Sequence, residues 1–470
     1  MYIIKEDAVM YDFLRYVLWE LKNSLLPVAL VGVLAGAVLA VTAVRCRRRG
    51  RKFPWARAIG WLALAFWLAV TVYATVLRHS GGWRAYNLHL FRAWREVWND
   101  FSFKSWANVL LNIALFCPLG FLLPLLWKKM RSWYLSVPLG LGVSLLIELV
   151  QLALKRGICD VDDLLANTLG TVLGWLGAMC LLALTQKLGR KVFFRRGVLT
   201  AALVLAILSP FPIYALAEYG NLPQAPACRV DTGSTQWQLD CQLPEAVHPA
   251  ETFRTRALDR TGCRDFALSF CALTESTVDY ESYYQEGGYY HLKPRGILQV
   301  FYHDGSWEYS EGYYGPETLW PVLDRQTVEK ALEPFSVSVP ACAEFSAGED
   351  GWYSFTCHMY REGDTLVDGT LRVRCTENGE AAAIEHHLIR YEHYEQVEIL
   401  TPEEAWDRLC AGYFNDDGFF EHVWPESVAV TGCSLEYAVD TKGFYQPVYR
   451  FRLSDSEGEY ACEPMIPAMK

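Results

Sequence analysis

The chain has 470 residues, of which 52% are hydrophobic and 20% charged, and its mean hydropathy is +0.09. Residues 1–217 hold 25 Lys and Arg against 10 Asp and Glu, a net charge of +15, whereas residues 218–470 hold 18 against 43, a net charge of −25. Apolar runs of about 20 residues, the length that crosses the hydrocarbon of a bilayer, occur only in the basic part. This pattern excludes a cytosolic enzyme and an intrinsically disordered chain.

Six apolar segments of the basic part are predicted to span a membrane as α-helices. Residues 1–24 carry seven charged side chains and no cleavable signal peptide is evident, so the first apolar run is expected to remain as an anchor. The predicted spans cover residues 25–44, 55–77, 107–127, 133–154, 165–185 and 198–217.

The charges next to the spans predict their orientation. The loops after spans one, three and five, with their flanks, contain fifteen basic residues and no acidic residue, so the positive-inside rule places them in the cytoplasm. Six spans then put both termini and the acidic tail on the extracytoplasmic side. The tail contains ten cysteines, an even number that is compatible with disulfides there, although ten free thiols are the alternative and no pairing follows from the sequence.

Spans three, four and five each carry two polar residues three or four positions apart, so each pair lies on one helical face. The predicted orientation places all three pairs at the extracytoplasmic end of the bundle, beside the hairpin that joins spans four and five. Polar side chains at one depth are expected to face one another rather than lipid. The candidate ligand-binding residues are Asn108, Asn112, Glu148, Gln151, Arg156, Asp160, Asp163 and Asn167.

Glu148 is the strongest candidate, because a carboxylate at the bilayer centre costs about 2.5 to 3.5 kcal/mol. It is expected to face the bundle interior with a cationic partner, and Lys155 and Arg156 are the nearest in sequence. For Asp160 and Asp163, the alternative to ligand binding is a structural role as a helix cap with a surface turn. For Asn108, Asn112 and Asn167, the alternative to ligand binding is hydrogen bonding between helices.

Small residues favour close packing of the same helices. Gly170 and Gly174 form a GxxxG step in span five. Pro118 in span three frees a carbonyl one turn earlier and predicts a kink near Ala114, and Gly120 follows it.

These residues occur in an order that resembles the VanZ-like family of bacterial membrane proteins over roughly residues 25–185. The segment Tyr86-Asn87-Leu88 and Phe91 is similar to a short motif of the family, but His89 and Leu90 stand where a proline is expected. The resemblance implies a protein of the bacterial cytoplasmic membrane and cell envelope, related to one associated with teicoplanin resistance. The residues that carry it are Asn108, Asn112, Phe116, Pro118, Gly120, Phe121, Glu148, Gln151, Arg156, Asp160, Asp162, Asp163, Asn167, Gly170 and Gly174.

The acidic tail is predicted to be an α+β region with antiparallel sheets. Thr401-Pro402-Glu403-Glu404 is a capping box that opens a helix, and residues 324–332 form another. A helix followed by strands occurs twice, which favours two similar subdomains, and the last of them is similar to PepSY-like domains. The predicted organisation is an extracytoplasmic segment 1–24, a transmembrane domain 25–217, and extracytoplasmic subdomains 218–335 and 336–470. The predicted strands cover residues 297–302, 352–360, 370–375, 383–391 and 447–452.

Three functions fit these features. In the first, the polar cluster binds an envelope lipid or a cell-wall precursor head group, with Arg156 contacting its phosphate. In the second, the chain is an enzyme that acts on an envelope lipid through Glu148, or through a cation held by Glu148, Asp160 and Asp163. In the third, the chain is a scaffold or sensor: the cluster only holds the bundle together, and the tail binds a partner, an envelope protein or an envelope glycan. Binding is favoured over catalysis, because no nucleophile paired with a base is visible. No cofactor and no metal are expected, and the acidic tail argues against nucleic acid.

Overall fold

The computed structural model describes residues 36–50, 53–77, 85–185, 190–246, 249–255, 257–284, 287–312, 322–348, 351–415, 425–455 and 461–470. The chain forms two compact units, Met1–Ala217 and Glu218–Lys470.

The first unit is helical, and four of its helices are long and apolar enough to cross a membrane. A fifth candidate is a helix pair bent by 46° between Leu208 and Pro210, next to the two prolines of the Pro210-Phe-Pro212 segment. Most of the first predicted span, residues 25–35, lies outside the described residues, as does the predicted segment 1–24. Six spans are therefore not confirmed, and the described residues support four or five.

The helices and the two short strands of this unit are numbered in chain order. Residues 36–48 are helical (α1). The others are α2 (Trp55–Val72, continued by a π-helical turn Tyr73–Leu77), β1 (Ala85–Asn87), α3 (Arg92–Asp100), α4 (Phe103–Leu126), α5 (Trp133–Leu154), β2 (Ile158–Asp160), α6 (Val161–Thr185), α7 (Arg190–Leu208) and α8 (Pro210–Leu216).

One stripe of α5 is buried and the rest of the helix is apolar. Leu146 and Leu149 are 60% and 51% exposed, as expected for side chains that face lipid. The buried stripe recurs every three or four residues and contains polar side chains, the reverse of a helix in a water-soluble protein. It comprises Ser136, Gly140, Ser144, Glu148 and Gln151.

Helices α4 and α6 pack backbone to backbone. A methyl group added at Gly170 would lie 2.0 Å from the carbonyl oxygen of Ile113, and one added at Gly174 would lie 1.9 Å from that of Cys117. In the reverse direction, a methyl at Gly120 would lie 2.0 Å from the carbonyl oxygen of Thr171. Glycine is therefore required at all three positions for this helix distance.

The second unit contains one branched sheet with fourteen strands in the described residues. Its main path runs β3-β13-β14-β4-β12-β8-β7-β6-β5, while β11, β10 and β9 extend in turn from β12, and β15 and β16 pair with β14. The strands are β3 (Gln236–Leu239), β4 (Ala250–Arg254), β5 (Thr277–Tyr283), β6 (Gly287–Lys293), β7 (Ile297–Phe301), β8 (Trp307–Ser310), β9 (Glu344–Ala347), β10 (Trp352–Glu362), β11 (Thr365–Cys375), β12 (Ala381–Val397), β13 (Ser427–Val439), β14 (Phe444–Asp455), β15 (Ala461–Cys462) and β16 (Met465–Pro467).

Three capped helices cover this sheet: α9 (Arg260–Leu273), α10 (Arg325–Leu332) and α11 (Pro402–Cys410). The side chain of Asp259 caps α9 and that of Asp324 caps α10. The predicted capping box of α11 is present, with Thr401 and Glu404 each accepting a backbone hydrogen bond from the other.

The sheet is mixed rather than wholly antiparallel, because β3 pairs parallel to β13. Its apolar side chains form two large clusters. One surrounds α9 and α10 and includes buried residues from Cys263 to Leu388, and the other surrounds α11 and includes Ala250 with residues from Ile399 to Ala468. The boundary predicted near residue 335 falls within the first cluster.

Candidate functional site

The loop after α5 brings the candidate residues of the membrane unit together. Lys155 ends α5 in the left-handed conformation with φ 56°, and Gly157 follows with φ 96°, so the chain turns sharply there. Residues 158–160 then form β2, which pairs parallel to β1 and sets Asn87 opposite Asp160. We call the polar side chains around this turn the hairpin cluster: Asn87, Asn112, Glu148, Gln151, Arg156, Asp160, Asp162, Asp163 and Asn167.

Glu148 lies at the centre of the hairpin cluster and is 2% exposed. Its Oε2 atom accepts a hydrogen bond from the backbone N–H of Asp160 at 3.0 Å. The cationic partners expected from sequence, Lys155 and Arg156, form no ion pair with it in the described structure. A main-chain donor on β2 takes that place, and the buried carboxylate holds the hairpin against α5.

Asp160 links the two short strands through its side chain. Its Oδ1 atom accepts from Asn87 Nδ2 at 3.0 Å and from the backbone N–H of Asp162 at 2.8 Å. Burial raises the pKa of Asp160, and these two hydrogen bonds oppose the shift because they favour the charged form.

Asp162, which the sequence did not single out as a site residue, is buried and caps α3. Its two carboxylate oxygens accept hydrogen bonds from the backbone N–H groups of Phe91, at 2.6 Å, and Ala93, at 2.8 Å. Phe91 is left-handed, with φ 67°, and immediately precedes α3. The sequence did place this carboxylate at the start of a predicted helix, but a carboxylate in that position ordinarily caps its own helix. Here it caps another one.

Two asparagines connect α6 to its neighbours. Asn112 Nδ2 on α4 donates to Asp163 Oδ1 on α6 at 2.6 Å. Asn167 Nδ2 donates to Ser144 Oγ on α5 at 2.9 Å, while the Oδ1 atom of Asn167 is buried without a hydrogen-bond partner among the described residues. The polar residues of α4, α5 and α6 are thus in direct contact.

Gln151 and Arg156 bind the end of α2. Gln151 Nε2 donates to the carbonyl oxygen of Thr75 at 3.0 Å, and Arg156 Nη1 donates to that of Val76 at 3.0 Å. Both carbonyls belong to the π-helical turn that ends α2, where backbone acceptors lack helical partners. The remaining donors of the half-buried guanidinium make no hydrogen bond to another described residue.

Asn108 is not part of this network. Its side chain is exposed on α4 and has no hydrogen-bond partner among the described residues. Pro118 lies inside α4, as does Pro124.

The hairpin cluster therefore concentrates four carboxylates, Glu148, Asp160, Asp162 and Asp163, around one turn. None of them forms an ion pair with a described Lys or Arg. Within the described part of the chain, no three His, Cys, Asp or Glu side chains are grouped in a way that could hold a metal ion. Chemically, the arrangement accepts hydrogen bonds at its centre and offers donors at Arg156.

These observations define a polytopic α-helical membrane bundle, with buried polar groups at one helical hairpin, joined to a sheet-rich unit. Residues 55–183 match the model of the VanZ/LLP1 family, which confirms that this part of the chain is VanZ-like.

No curated protein matches the chain. Among solved structures, the C-terminal domain of YpeB from Bacillus megaterium is similar to it at 12% sequence identity, over 46% of this chain and 99% of that one, with a TM-score of 0.18.

Proposed function

We propose that this VanZ-like envelope protein binds the polar head group of an envelope lipid or a lipid-linked cell-wall precursor at the hairpin cluster. The binding contributes to tolerance of glycopeptides such as teicoplanin. The observation that carries the proposal is the burial of Glu148, a carboxylate that is 2% exposed in a bundle of apolar helices and accepts one hydrogen bond from the described residues. A buried carboxylate without a cationic partner is costly, and a ligand that supplies donors offsets that cost.

The chemistry of the hairpin cluster suggests what such a ligand contains. Carboxylates such as Glu148 and Asp163 would accept hydrogen bonds from amine or hydroxyl groups. The N–H groups of Arg156 that do not contact Val76 would bind a phosphate oxygen. A head group with both a phosphate and amine or hydroxyl groups satisfies both requirements. In this proposal the cluster faces the extracytoplasmic side, where such head groups are exposed.

Native mass spectrometry of the full-length protein in mild detergent tests this proposal. The wild type is expected to retain an envelope lipid, and Glu148→Gln is expected to bind it with about ten-fold lower affinity, or about 1.4 kcal/mol less binding free energy, and so to retain less of it. The carboxamide oxygen of the variant still accepts from the Asp160 N–H, so the hairpin stays attached to α5. The exposed Glu96→Gln on α3 is the matched control and should bind as the wild type does.

A structural role is the second candidate, because Asp162, Gln151 and Arg156 direct their recorded hydrogen bonds to backbone groups of the same unit. The same experiment separates the two functions. If the wild type retains no lipid, or if Glu148→Gln retains it and only unfolds at a lower temperature, the cluster serves to hold the bundle together. Partners of the tail, an envelope protein or glycan, would then be the place to look for function.

A further inference from the structure

Two cysteines of the second unit lie in contact. The Sγ atoms of Cys342 and Cys357 are 3.4 Å apart, although fifteen positions separate the residues in sequence. Cys357 lies on the central part of β10 and is buried, while Cys342 is partly buried in the turn that precedes β9.

The strand register explains this contact. Strands β9 and β10 are antiparallel, with Phe345 opposite Phe355 and Glu344 opposite Thr356. Continuing the register by one residue sets Ala343 opposite Cys357. Cys342 precedes Ala343 in the turn that leads into β9, where side chains no longer alternate between the two faces of the sheet. The strand pairing and this turn together place the two thiols in contact.

The turn that carries Cys342 is also held in place. The backbone N–H of Ala343 donates to the carbonyl oxygen of Pro340 at 3.0 Å, and the carbonyl of Ala343 accepts from Arg325 Nη1 on α10 at 3.0 Å. The backbone at this turn is therefore held in place, and the sulfur atoms must close from 3.4 Å to the disulfide bond length of about 2.05 Å.

We propose that Cys342 and Cys357 form an intramolecular disulfide when the protein meets a thiol–disulfide oxidant. The partly exposed Cys342 attacks the oxidant's disulfide as a thiolate, releasing one thiol and forming a mixed disulfide. Cys357 then attacks the Cys342 sulfur and releases the second thiol. The two cysteines lose two protons and two electrons in total, and the oxidant's disulfide is reduced to two thiols.

Burial determines the order of the two steps. It raises the pKa of the Cys357 thiol, so this residue is a poor first nucleophile and is shielded from an external disulfide. Once Cys342 carries the oxidant's sulfur, the reaction of Cys357 is intramolecular and its partner is already in contact.

The sequence allows a direct test by peptide mapping. Trypsin leaves both cysteines in one peptide, residues 331–361, whereas a glutamyl endopeptidase cuts between them, after Glu344 and Glu349. The full-length protein in mild detergent is incubated with oxidised glutathione, then denatured in N-ethylmaleimide and digested with each protease in turn. Cys342→Ala is the test variant. Cys410→Ala, which removes another partly buried thiol, is the matched control.

In the wild type and the control, the tryptic peptide should carry no maleimide and be lighter by two hydrogen atoms than the reduced peptide. Its two halves should remain linked after glutamyl cleavage. In Cys342→Ala, Cys357 should take up one maleimide. Maleimide on both cysteines of the oxidised wild type, or a link from Cys357 to any other cysteine, overturns the proposal.

Discussion

Single side chains in the hairpin cluster connect segments that are distant in sequence. Glu148 binds the N–H of Asp160, and Asp162 binds two N–H groups at the start of α3. Each contact satisfies a main-chain donor that would otherwise be unpaired in a poorly hydrated region, so each is expected to contribute to stability.

Asp162→Ala tests the most extensive of these contacts. We expect the free energy of unfolding to fall by about 1 to 2 kcal/mol, because two backbone donors lose their acceptor. Asp162→Asn keeps one acceptor oxygen and should lose less. Thermal unfolding in detergent, followed by tryptophan fluorescence, measures both variants against Glu96→Gln, which removes an exposed charge of α3, the helix that Asp162 caps. Equal melting of the alanine, asparagine and wild-type proteins would contradict this role.

Part of the candidate site could be predicted from the sequence. Helical spacing and the cost of a charge in a membrane are local properties, and they indicated that Glu148 faces inward. Its partner could not be predicted, because the β1–β2 pairing joins residues 73 positions apart. The contact of Arg156 could not be predicted either, because Arg156 lies close to Glu148 in sequence but donates to the carbonyl of Val76, 80 positions away.

At the scale of elements, the helices were easier to predict than the strands. The predicted span 133–154 has the bounds of α5, because Ser132 and the left-handed Lys155 interrupt the apolar run at its two ends. The predicted strands 383–391 and 447–452 lie within β12 and β14, but β3 and β4 were not predicted. β3 and β4 are short, and they pair with β12, β13 and β14, more than 130 residues later. The alternation of apolar and polar residues within a short segment contains no information about such distant pairing.

Glycine substitutions test the packing of α4 against α6. Gly174→Ala should lower the melting temperature markedly and reduce the yield of folded protein, because its methyl group would overlap the carbonyl of Cys117. Gly142→Ala on α5 is the matched control, since nothing lies within 4 Å of its added methyl. It should be neutral or stabilise α5 by up to about 1 kcal/mol. Similar losses of melting temperature in both variants would show that the distance between α4 and α6 does not determine the effect of the Gly174 substitution.

At the scale of the whole molecule, the distribution of charge is the basis for the predicted membrane orientation of the two units. The second unit holds a net charge of −25, and the basic residues of the first are concentrated in alternate loops. Because basic loops are retained in the cytoplasm, this distribution favours an extracytoplasmic second unit.

Reporter fusions measure this orientation. Alkaline phosphatase fused after Lys470 should be active in cells, and green fluorescent protein fused there should be dark. Fusions to a chain ending at Met130, in the basic loop after α4, should show the opposite pattern. A fluorescent fusion at Lys470 would place the second unit in the cytoplasm.

The contact between α4 and α6 also bears on how the protein is made. Helix α5 leaves the ribosome between them, yet the carbonyls of Ile113 and Cys117 are covered by Gly170 and Gly174. During synthesis, each of these α4 residues therefore enters the bilayer 57 residues ahead of the glycine that covers its carbonyl. A polypeptide truncated before Gly174 would leave that surface exposed to lipid and to the proteases that remove unassembled membrane helices.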